Sequence, residues 1–113
     1  MNKKVFGYLS EFVVMIRYLF LFYFPLKHRW LWHKNGEIDL ILKRFNTIVF
    51  VEVKGRKNHE LVTLSERQAL RIKKTIKLFL LTFDKYNKHN IRLDFAYVNR
   101  FFMLKVVENA WHY

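Results

Sequence analysis

Residues 36–56, which read GEIDLILKRFNTIVFVEVKGR, constrain the fold of this chain more than any other segment. Two apolar runs, DLIL and IVFVEV, are separated only by the short segment KRFNT. Neither run alternates apolar with polar residues, a pattern typical of central strands that are buried on both faces. The segment therefore predicts two neighbouring strands, over 37–43 and 47–54, in the middle of a covered sheet.

The same segment predicts a specific strand pairing. A hairpin turn centred between residues 45 and 46 pairs residues whose numbers sum to 91, so that Asp39 lies opposite Glu52. Directly opposed side chains have Cβ atoms roughly 4.5–5.5 Å apart, and a slip by one residue would turn them to opposite faces. Lys54 lies two residues beyond Glu52 and points to the same side of the sheet. Two carboxylates and an ammonium are thus expected on one face.

Two opposed carboxylates in a partly buried sheet repel each other, and leaving both ionised and unpaired costs several kcal/mol. One carboxyl can take a proton, Lys54 can pair with both, or a divalent cation can bind between Asp39 and Glu52. A few oxygen ligands with open positions for water and phosphate suit Mg²⁺ or Mn²⁺. Such an ion polarises a phosphoryl oxygen, while Lys54 stabilises charge on the phosphate or orients the attacking water.

The large positive net charge of the chain favours a polyanionic partner. The net charge is +12 and the pI is near 10.1, which favours nucleic acid or an anionic membrane surface. Cysteine is absent, which excludes disulfides and thiolate zinc sites and fits a reducing cytosol. The five histidines show no close pair at helical zinc spacing. We therefore expect a cytoplasmic protein.

The apolar run at 12–26, FVVMIRYLFLFYFPL, raises the question of a membrane segment. It is shorter than the roughly 20 residues that a spanning helix needs, and it contains Arg17 and Pro25. We expect no stable membrane insertion but a helix over 7–19 that packs on the sheet. Its sheet-facing side is predicted to carry Tyr8, Phe12, Met15 and Leu19. A membrane-surface role for this Phe-rich, basic chain is an alternative.

The remaining elements complete a single domain over 1–113. Thr63 or Ser65 is the predicted N-cap of a second helix over 63–82. One face of this helix is basic, either simply solvated or in contact with phosphates. A two-residue loop, Asn99-Arg100, predicts a hairpin. Together with strands over 22–32, 91–98 and 101–107, the pattern indicates an α/β fold with a mixed sheet covered on both faces.

GEIDLI followed by VFVEVKGR resembles the signature of the YraN family. These small bacterial proteins belong to the PD-(D/E)XK nuclease superfamily and are similar to archaeal Holliday-junction resolvases. The likeness extends to Gly7, Glu11 and Tyr18-Leu19, to RLDF, in which we take Asp94 as structural, and to the closing Asn-Ala-Trp. It implies a restriction-endonuclease-like core of helix, three strands, helix and strands, with a central mixed sheet flanked by helices.

The resemblance also implies a Mg²⁺-dependent phosphodiesterase site. Asp39 and Glu52 would hold Mg²⁺ or Mn²⁺, and Lys54 would assist attack on the phosphodiester. Glu11 is a further candidate because a first-helix glutamate joins the metal site of resolvase-like relatives. Gln68 is another, because related nucleases often place Gln or Lys there. Candidate nucleic-acid contacts are Arg56, Lys57, Arg67, Arg71 and Lys74.

We therefore expect a metal-dependent endonuclease acting on branched or single-stranded DNA, with DNA favoured over RNA. The alternative within the same fold is a nucleic-acid-binding module without catalysis. The aromatic residues at 20–24 and 30–32 are candidates for a homodimer interface.

Overall fold

The computed structural model describes residues 2–31, 36–56 and 65–109. The helices and strands follow the expected order of helix, three strands, helix and two strands. A short 3₁₀ turn, Asp84–Tyr86, follows the second helix. The elements are α1 (Lys3–Phe20), β1 (Phe24–Leu31), β2 (Glu37–Arg44), β3 (Thr47–Arg56), α2 (Glu66–Thr82), β4 (Asn90–Asn99) and β5 (Leu104–Val107).

The five strands form one mixed sheet in the order β1-β2-β3-β4-β5. Strands β3 and β4 are parallel, whereas every other neighbouring pair is antiparallel. A parallel pair needs a crossover connection, and α2 lies on that connection between β3 and β4. The architecture is an α/β fold with a mixed central sheet, consistent with a restriction-endonuclease-like core.

Each face of the sheet carries its own apolar core. On one face Val14 and Tyr18 of α1 pack with Leu40, Leu42, Val49 and Val51. On the other face α2 contributes its apolar side chains, which pack with β2 and β3. This second cluster contains Ile41, Ile48, Phe50, Ile72, Ile76 and Phe79. Double-sided burial explains why the central strands read as continuous apolar runs.

The predicted hairpin register is confirmed. The pairs of β2 with β3 run from Arg44–Thr47 to Leu40–Val51, and their residue numbers sum to 91. The ladder ends at Leu40–Val51, one position before Asp39 and Glu52. The strongly apolar faces of both strands fix this register, because a shift by one residue would expose them.

The predicted buried side of α1 is wrong for three of its four residues, and only Met15 packs against the core. Tyr8, Phe12 and Leu19 are 43%, 53% and 39% exposed, although they were expected to face the sheet. The helix also begins earlier than predicted, where the Asn2 side chain accepts a hydrogen bond from the Val5 N–H at 2.8 Å. The residues that α1 buries are Phe6, Ser10, Glu11, Val14 and Tyr18.

A glycine in β3 explains this choice of side. A Cβ atom at Gly55 would lie only 2.6 Å from Phe6 Cε1 and 3.1 Å from Ser10 Oγ. The absence of a side chain at Gly55 thus lets α1 approach the sheet through Phe6 and the small Ser10. Apolar residues surround the helix on nearly all sides, so their periodicity alone does not identify the buried side.

The predicted two-residue loop before the last strand is also wrong. Residues 100–103 connect β4 to β5. The Asn99 side chain organises this longer loop, since Oδ1 accepts hydrogen bonds from the N–H groups of Phe101 at 2.8 Å and Met103 at 3.0 Å. Phe102 takes a positive φ of 59° within it. Asparagine side chains often replace backbone partners in turns in this way.

Among the described residues no helix is both long and apolar enough to cross a membrane. Ser65 is confirmed as the N-cap of α2, whereas the other cap candidate, Thr63, lies outside the described residues.

Candidate functional site

A polar cavity of about 320 Å³ lies where β2 and β3 extend beyond their paired region, beside the first turns of α2. It brings together four residues that the sequence predicted for one site: Asp39, Glu52, Lys54 and Gln68. Arg71, predicted to contact nucleic acid, also lines it. The full lining consists of Gly36, Glu37, Asp39, Glu52, Val53, Lys54, Gln68, Arg71 and Ile72.

Asp39 is held at the point where the strand ladder ends. Its Oδ2 accepts a hydrogen bond from the Val53 N–H at 2.8 Å. The Asp39 side chain thus takes the place of the β2 carbonyl that would bond to β3 if the ladder continued. Burial raises the pKa of the Asp39 carboxyl to about 6, although the Val53 N–H opposes this rise. The negative charge of Glu11 raises the same pKa further.

Glu52 is the least satisfied group in the cavity. Its side chain is 12% exposed, and its Oε1 is buried without a hydrogen-bond partner among the described residues. Burial, followed by the charge of Asp39, raises the pKa of Glu52 to about 8, and Lys54 acts in the opposite direction. A buried carboxylate oxygen without a donor would be stabilised by a proton or by a cation.

Lys54 is available to a bound anion. Its Nζ lies 4.0 Å from Glu52 Oε2, at the limit of an ion pair, and its side chain is 27% exposed. Such a loose pair leaves the ammonium free to donate hydrogen bonds to a ligand in the cavity.

The residues fit a divalent cation that binds to few protein ligands. The described residues contain no group of three or more His, Cys, Asp or Glu side chains arranged to hold a metal. Of the three carboxylates that line the cavity, Asp39 and Glu52 are the ligands that the sequence predicted, and the unpartnered Glu52 Oε1 provides a ready acceptor. Mg²⁺ is commonly bound through one or two carboxylates, with water and substrate phosphates completing its shell.

The start of α2 is fixed at the cavity by a capping box. The Gln68 N–H donates to Ser65 Oγ at 3.2 Å, and Gln68 Oε1 accepts from the Ser65 N–H at 3.4 Å. Gly36, with φ at +136°, permits close contact with this helix, since a Cβ there would lie 3.1 Å from the Arg71 side chain. Gly36 and Arg71, which both line the cavity, therefore lie close together.

Glu11 lies beside the site but does not line the cavity. It is buried, and it accepts hydrogen bonds from both Arg29 Nε at 3.0 Å and Arg29 Nη2. His28 Nε2 also lies 3.0 Å from Glu11 Oε1. The negative charge of Glu11 raises the pKa of Asp39, so the two carboxylates interact electrostatically. A role for Glu11 in metal binding stays a prediction.

The sequence did not single out Glu37, Arg29 or His28. Glu37 lines the cavity, and Arg29 and His28 hold Glu11. The hairpin register offered a signal for Glu37, which lies two residues before Asp39 on the same strand. Nothing in the sequence linked Glu11 to β1, because the contact depends on how α1 crosses the sheet.

The predicted nucleic-acid contacts fall into two groups. Arg67, Arg71 and Lys74 are exposed on α2 and extend from the cavity along the helix. Arg56 ends β3, but its side chain and all of Lys57 lie outside the described part of the chain.

Together these observations define a class, an α/β protein whose two central strands end in a pair of carboxylates and a lysine. The sequence matches the model of the uncharacterised protein family UPF0102 over residues 22–98, more than half of the chain. The chain belongs to this family, which is the YraN family whose signature it resembles. The matched range contains Asp39, Glu52, Lys54 and Gln68, whereas Glu11 precedes it.

Several bacterial members of the family are similar to this chain. The UPF0102 protein of Ehrlichia ruminantium (strain Gardel) is 30% identical over 105 residues, covering 93% of this chain and 82% of that protein. The Clostridium botulinum (strain Hall) protein is 36% identical over 87 residues, or 69% and 71% of the two chains. The Acinetobacter baumannii (strain AYE) protein is 42% identical over 67 residues, or 54% and 49%.

Proposed function

We propose that this protein is a metal-dependent endonuclease that hydrolyses phosphodiester bonds in nucleic acid. The observation that carries the proposal is the buried, unpartnered Glu52 Oε1 beside Asp39 in a cavity that also contains Lys54. The resemblance to PD-(D/E)XK nucleases supports it, because the same three residues occupy the motif positions of that superfamily.

Asp39 and Glu52 would hold the cation, with Asp39 oriented by the Val53 N–H. When bound, Mg²⁺ or Mn²⁺ supplies the positive charge that polarises a phosphoryl oxygen and acidifies a bound water. Lys54 Nζ would donate a hydrogen bond to a non-bridging phosphate oxygen and stabilise the negative charge that grows there. Arg71, which lines the same cavity, would hold a neighbouring phosphate.

Nucleic acid is the substrate that the charge of the chain favours. The net charge is +12, and exposed Arg67, Arg71 and Lys74 continue the basic surface away from the cavity along α2. Since such contacts neutralise phosphates without reading bases, they predict salt-dependent rather than sequence-dependent affinity. Branched and single-stranded DNA are the first substrates to test, and a cytoplasmic location and a homodimer remain predictions.

The decisive experiment is a cleavage assay on branched, single-stranded and duplex DNA with Mg²⁺ or Mn²⁺. We expect Asp39→Asn and Lys54→Ala each to lower the rate by about 100-fold or more. Asp84→Asn and Lys88→Ala, which alter exposed residues outside the cavity, are the matched controls and should cleave normally. Undiminished cleavage by both site variants would rule out this site.

The alternative is a nucleic-acid-binding module with a catalytically silent site. It is favoured by the small number of metal-ligating side chains in the described residues and by the exposed basic face of α2. Calorimetric titration separates the two functions. Tight, salt-dependent DNA binding without Mn²⁺ binding would establish the binding module, whereas Mn²⁺ binding that is lost in Asp39→Asn supports the enzyme.

A further inference from the structure

The outward side of α1 carries an apolar surface that the sheet does not cover. The helix buries Phe6, Val14 and Tyr18 against the sheet, yet large apolar side chains also cover its opposite side. A surface helix normally places polar residues there. The α1 apolar face, as we call it, consists of Tyr8 (43% exposed), Leu9 (39%), Phe12 (53%), Ile16 (36%), Leu19 (39%) and Phe20 (80%).

The apolar surface continues past the end of the helix. Phe22 is 69% exposed and Phe24 is 60% exposed, and both lie within four residues of Phe20 in the chain. Contiguous exposed apolar surface of this kind marks a place where another body binds, unlike scattered single residues.

Positive charge borders the α1 apolar face. The helix carries Lys3, Lys4 and Arg17, all exposed, while its one acidic residue, Glu11, is buried and held by Arg29. The guanidinium of Arg29 itself lies 3.9 Å from the centre of the Tyr8 ring, beside the face.

The other end of the helix has a similar border. Arg44 Nη1 donates a hydrogen bond to the Leu21 carbonyl at 3.1 Å and places its guanidinium over the Tyr23 ring, 4.2 Å from the ring centre. The face therefore combines an apolar centre with a cationic rim, and α1 exposes no carboxylate.

We propose that the α1 apolar face docks onto the surface of a membrane that contains anionic lipids. Apolar side chains of an interfacial helix enter the boundary between headgroups and acyl chains, and basic residues contact the lipid phosphates. A second copy of this chain fits less well. A two-fold contact would bring the same cationic rims together, and no exposed carboxylate on the helix would pair with them.

The docking does not require a spanning segment or the proposed nuclease activity. Helices α1 and α2 contribute to cores on opposite faces of the sheet. A protein docked through α1 would therefore present the basic face of α2 away from the bilayer, where a second polyanion can bind.

The test measures binding of the full chain to vesicles by co-sedimentation. One set of vesicles is pure phosphatidylcholine, and the other contains roughly a third phosphatidylglycerol. The test variant is Phe12→Gln/Ile16→Gln, which keeps the net charge and changes only exposed positions of α1. The matched control is Leu70→Gln/Leu81→Gln, since both leucines are 69% exposed on α2. Thermal unfolding checks that each variant folds.

We expect the wild-type chain to bind the anionic vesicles and to bind the neutral ones less. The α1 variant should bind at least about tenfold more weakly, and the α2 control should bind as the wild type does. Absence of wild-type binding to anionic vesicles would overturn the proposal, as would equal binding by the wild type and the α1 variant. A lipid-free wild-type dimer that becomes monomeric in the α1 variant would also overturn it and assign the face to a second copy.

Discussion

At the residue scale, Glu52 shows how the fold can bury one oxygen of a carboxylate while the rest of the side chain lines a cavity. Its Oε1 has no hydrogen-bond partner among the described residues, and its nearest cation, Lys54 Nζ, lies 4.0 Å from Oε2. Asp39, by contrast, receives a direct N–H donor from Val53. The two carboxylates therefore differ in how much they gain from a bound proton or cation.

The pH dependence of stability should reveal this difference. The pKa of Glu52 rises from 4.5 to about 8 on folding. The folded state therefore binds more protons than the unfolded chain between these values, and stability falls as pH rises through that window. In metal-free buffer, the free energy of unfolding of Glu52→Gln should rise relative to that of the wild type by about 4 kcal/mol between pH 5 and pH 8.5, since each unit of pKa shift corresponds to about 1.4 kcal/mol. Urea unfolding at several pH values measures this gain.

The control for this measurement is Glu66→Gln, which alters an exposed glutamate in the first turn of α2. The free energy of unfolding of this variant should not rise relative to that of the wild type as pH increases. Parallel pH profiles for the wild type and Glu52→Gln would contradict the buried, unpaired state of Glu52.

A divalent cation should stabilise the folded protein through the same two carboxylates. We expect Mn²⁺ or Mg²⁺ to raise the unfolding temperature, by the equivalent of about 2.7 kcal/mol at 100 times the dissociation constant. The effect should grow with pH, because the cation competes with protons for the carboxylates. Differential scanning calorimetry of Asp39→Asn should show no stabilisation, whereas Asp84→Asn should behave as the wild type. Equal stabilisation of both variants would place the metal elsewhere.

At the scale of the elements, a buried network around Asp94 joins α1 to β4. Asp94 is fully buried, and its Oδ2 accepts a hydrogen bond from the Tyr18 hydroxyl at 2.6 Å. Arg92 donates to both carboxylate oxygens, each at 2.9 Å, and the Asn109 N–H donates to Oδ1 at 2.9 Å. The pKa of Tyr18 is raised, mainly by burial and then by Asp94, so its hydroxyl remains a donor. The network is structural, as the sequence analysis expected of Asp94.

Removing Asp94 should destabilise the protein strongly. Asp94→Ala leaves Arg92 and the Tyr18 hydroxyl without their partner, which typically costs about 3–5 kcal/mol. Tyr18→Phe leaves Asp94 bonded to Arg92 and Asn109, so we expect a loss of only about 1 kcal/mol. Chemical denaturation measures both values, and similar losses for the two variants would contradict this ranking.

The close contact of α1 with β3 lets us predict how two glycine substitutions change stability. Gly55→Ala would place a Cβ 2.6 Å from the Phe6 ring, and we expect a loss of about 1–3 kcal/mol. Gly7→Ala meets no atom within 4 Å and removes a helix-interior glycine, so a gain of roughly 0.5–1 kcal/mol is expected. Thermal unfolding compares the two, and a stabilising Gly55→Ala would show that α1 does not pack on β3 at this distance.

At the scale of the whole molecule, the two helices present different surfaces on opposite faces of one sheet. The outer side of α2 is basic and adjoins the cavity, whereas the outer side of α1 carries the α1 apolar face. Exposed basic residues thus lie on two separate surfaces, the outer face of α2 and the rim of the α1 apolar face.

DNA binding should follow the charge of α2 and not that of α1. Arg67→Ala and Lys74→Ala should each weaken binding to all sequences alike and reduce the slope of log affinity against log salt by about one. Lys3→Ala and Lys4→Ala, which remove equal charge from α1, should change the slope less. Fluorescence anisotropy over a range of salt concentrations measures the slopes, and equal effects from the two helices would contradict a defined α2 surface.

Local sequence patterns were enough to predict the order of the elements, the hairpin register and the placement of Asp39, Glu52 and Lys54 on one face of the sheet. These features depend on neighbouring positions in the chain. Continuous apolar runs identify central strands, and a short turn with two apolar strand faces permits one register. The N-cap of α2 was likewise narrowed to Thr63 or Ser65 by local pattern, because a cap requires contacts over only three residues.

Long-range packing was needed to establish which side of α1 is buried, what holds Glu11, and which part of α2 reaches the cavity. An all-round apolar helix has no unique face, so the space left by Gly55 selected the side that packs. The partners of Glu11 come from β1, and Arg71 reaches the cavity because Gly36 permits a close approach. Such contacts join residues far apart in the chain, and their geometry follows from packing rather than from local pattern.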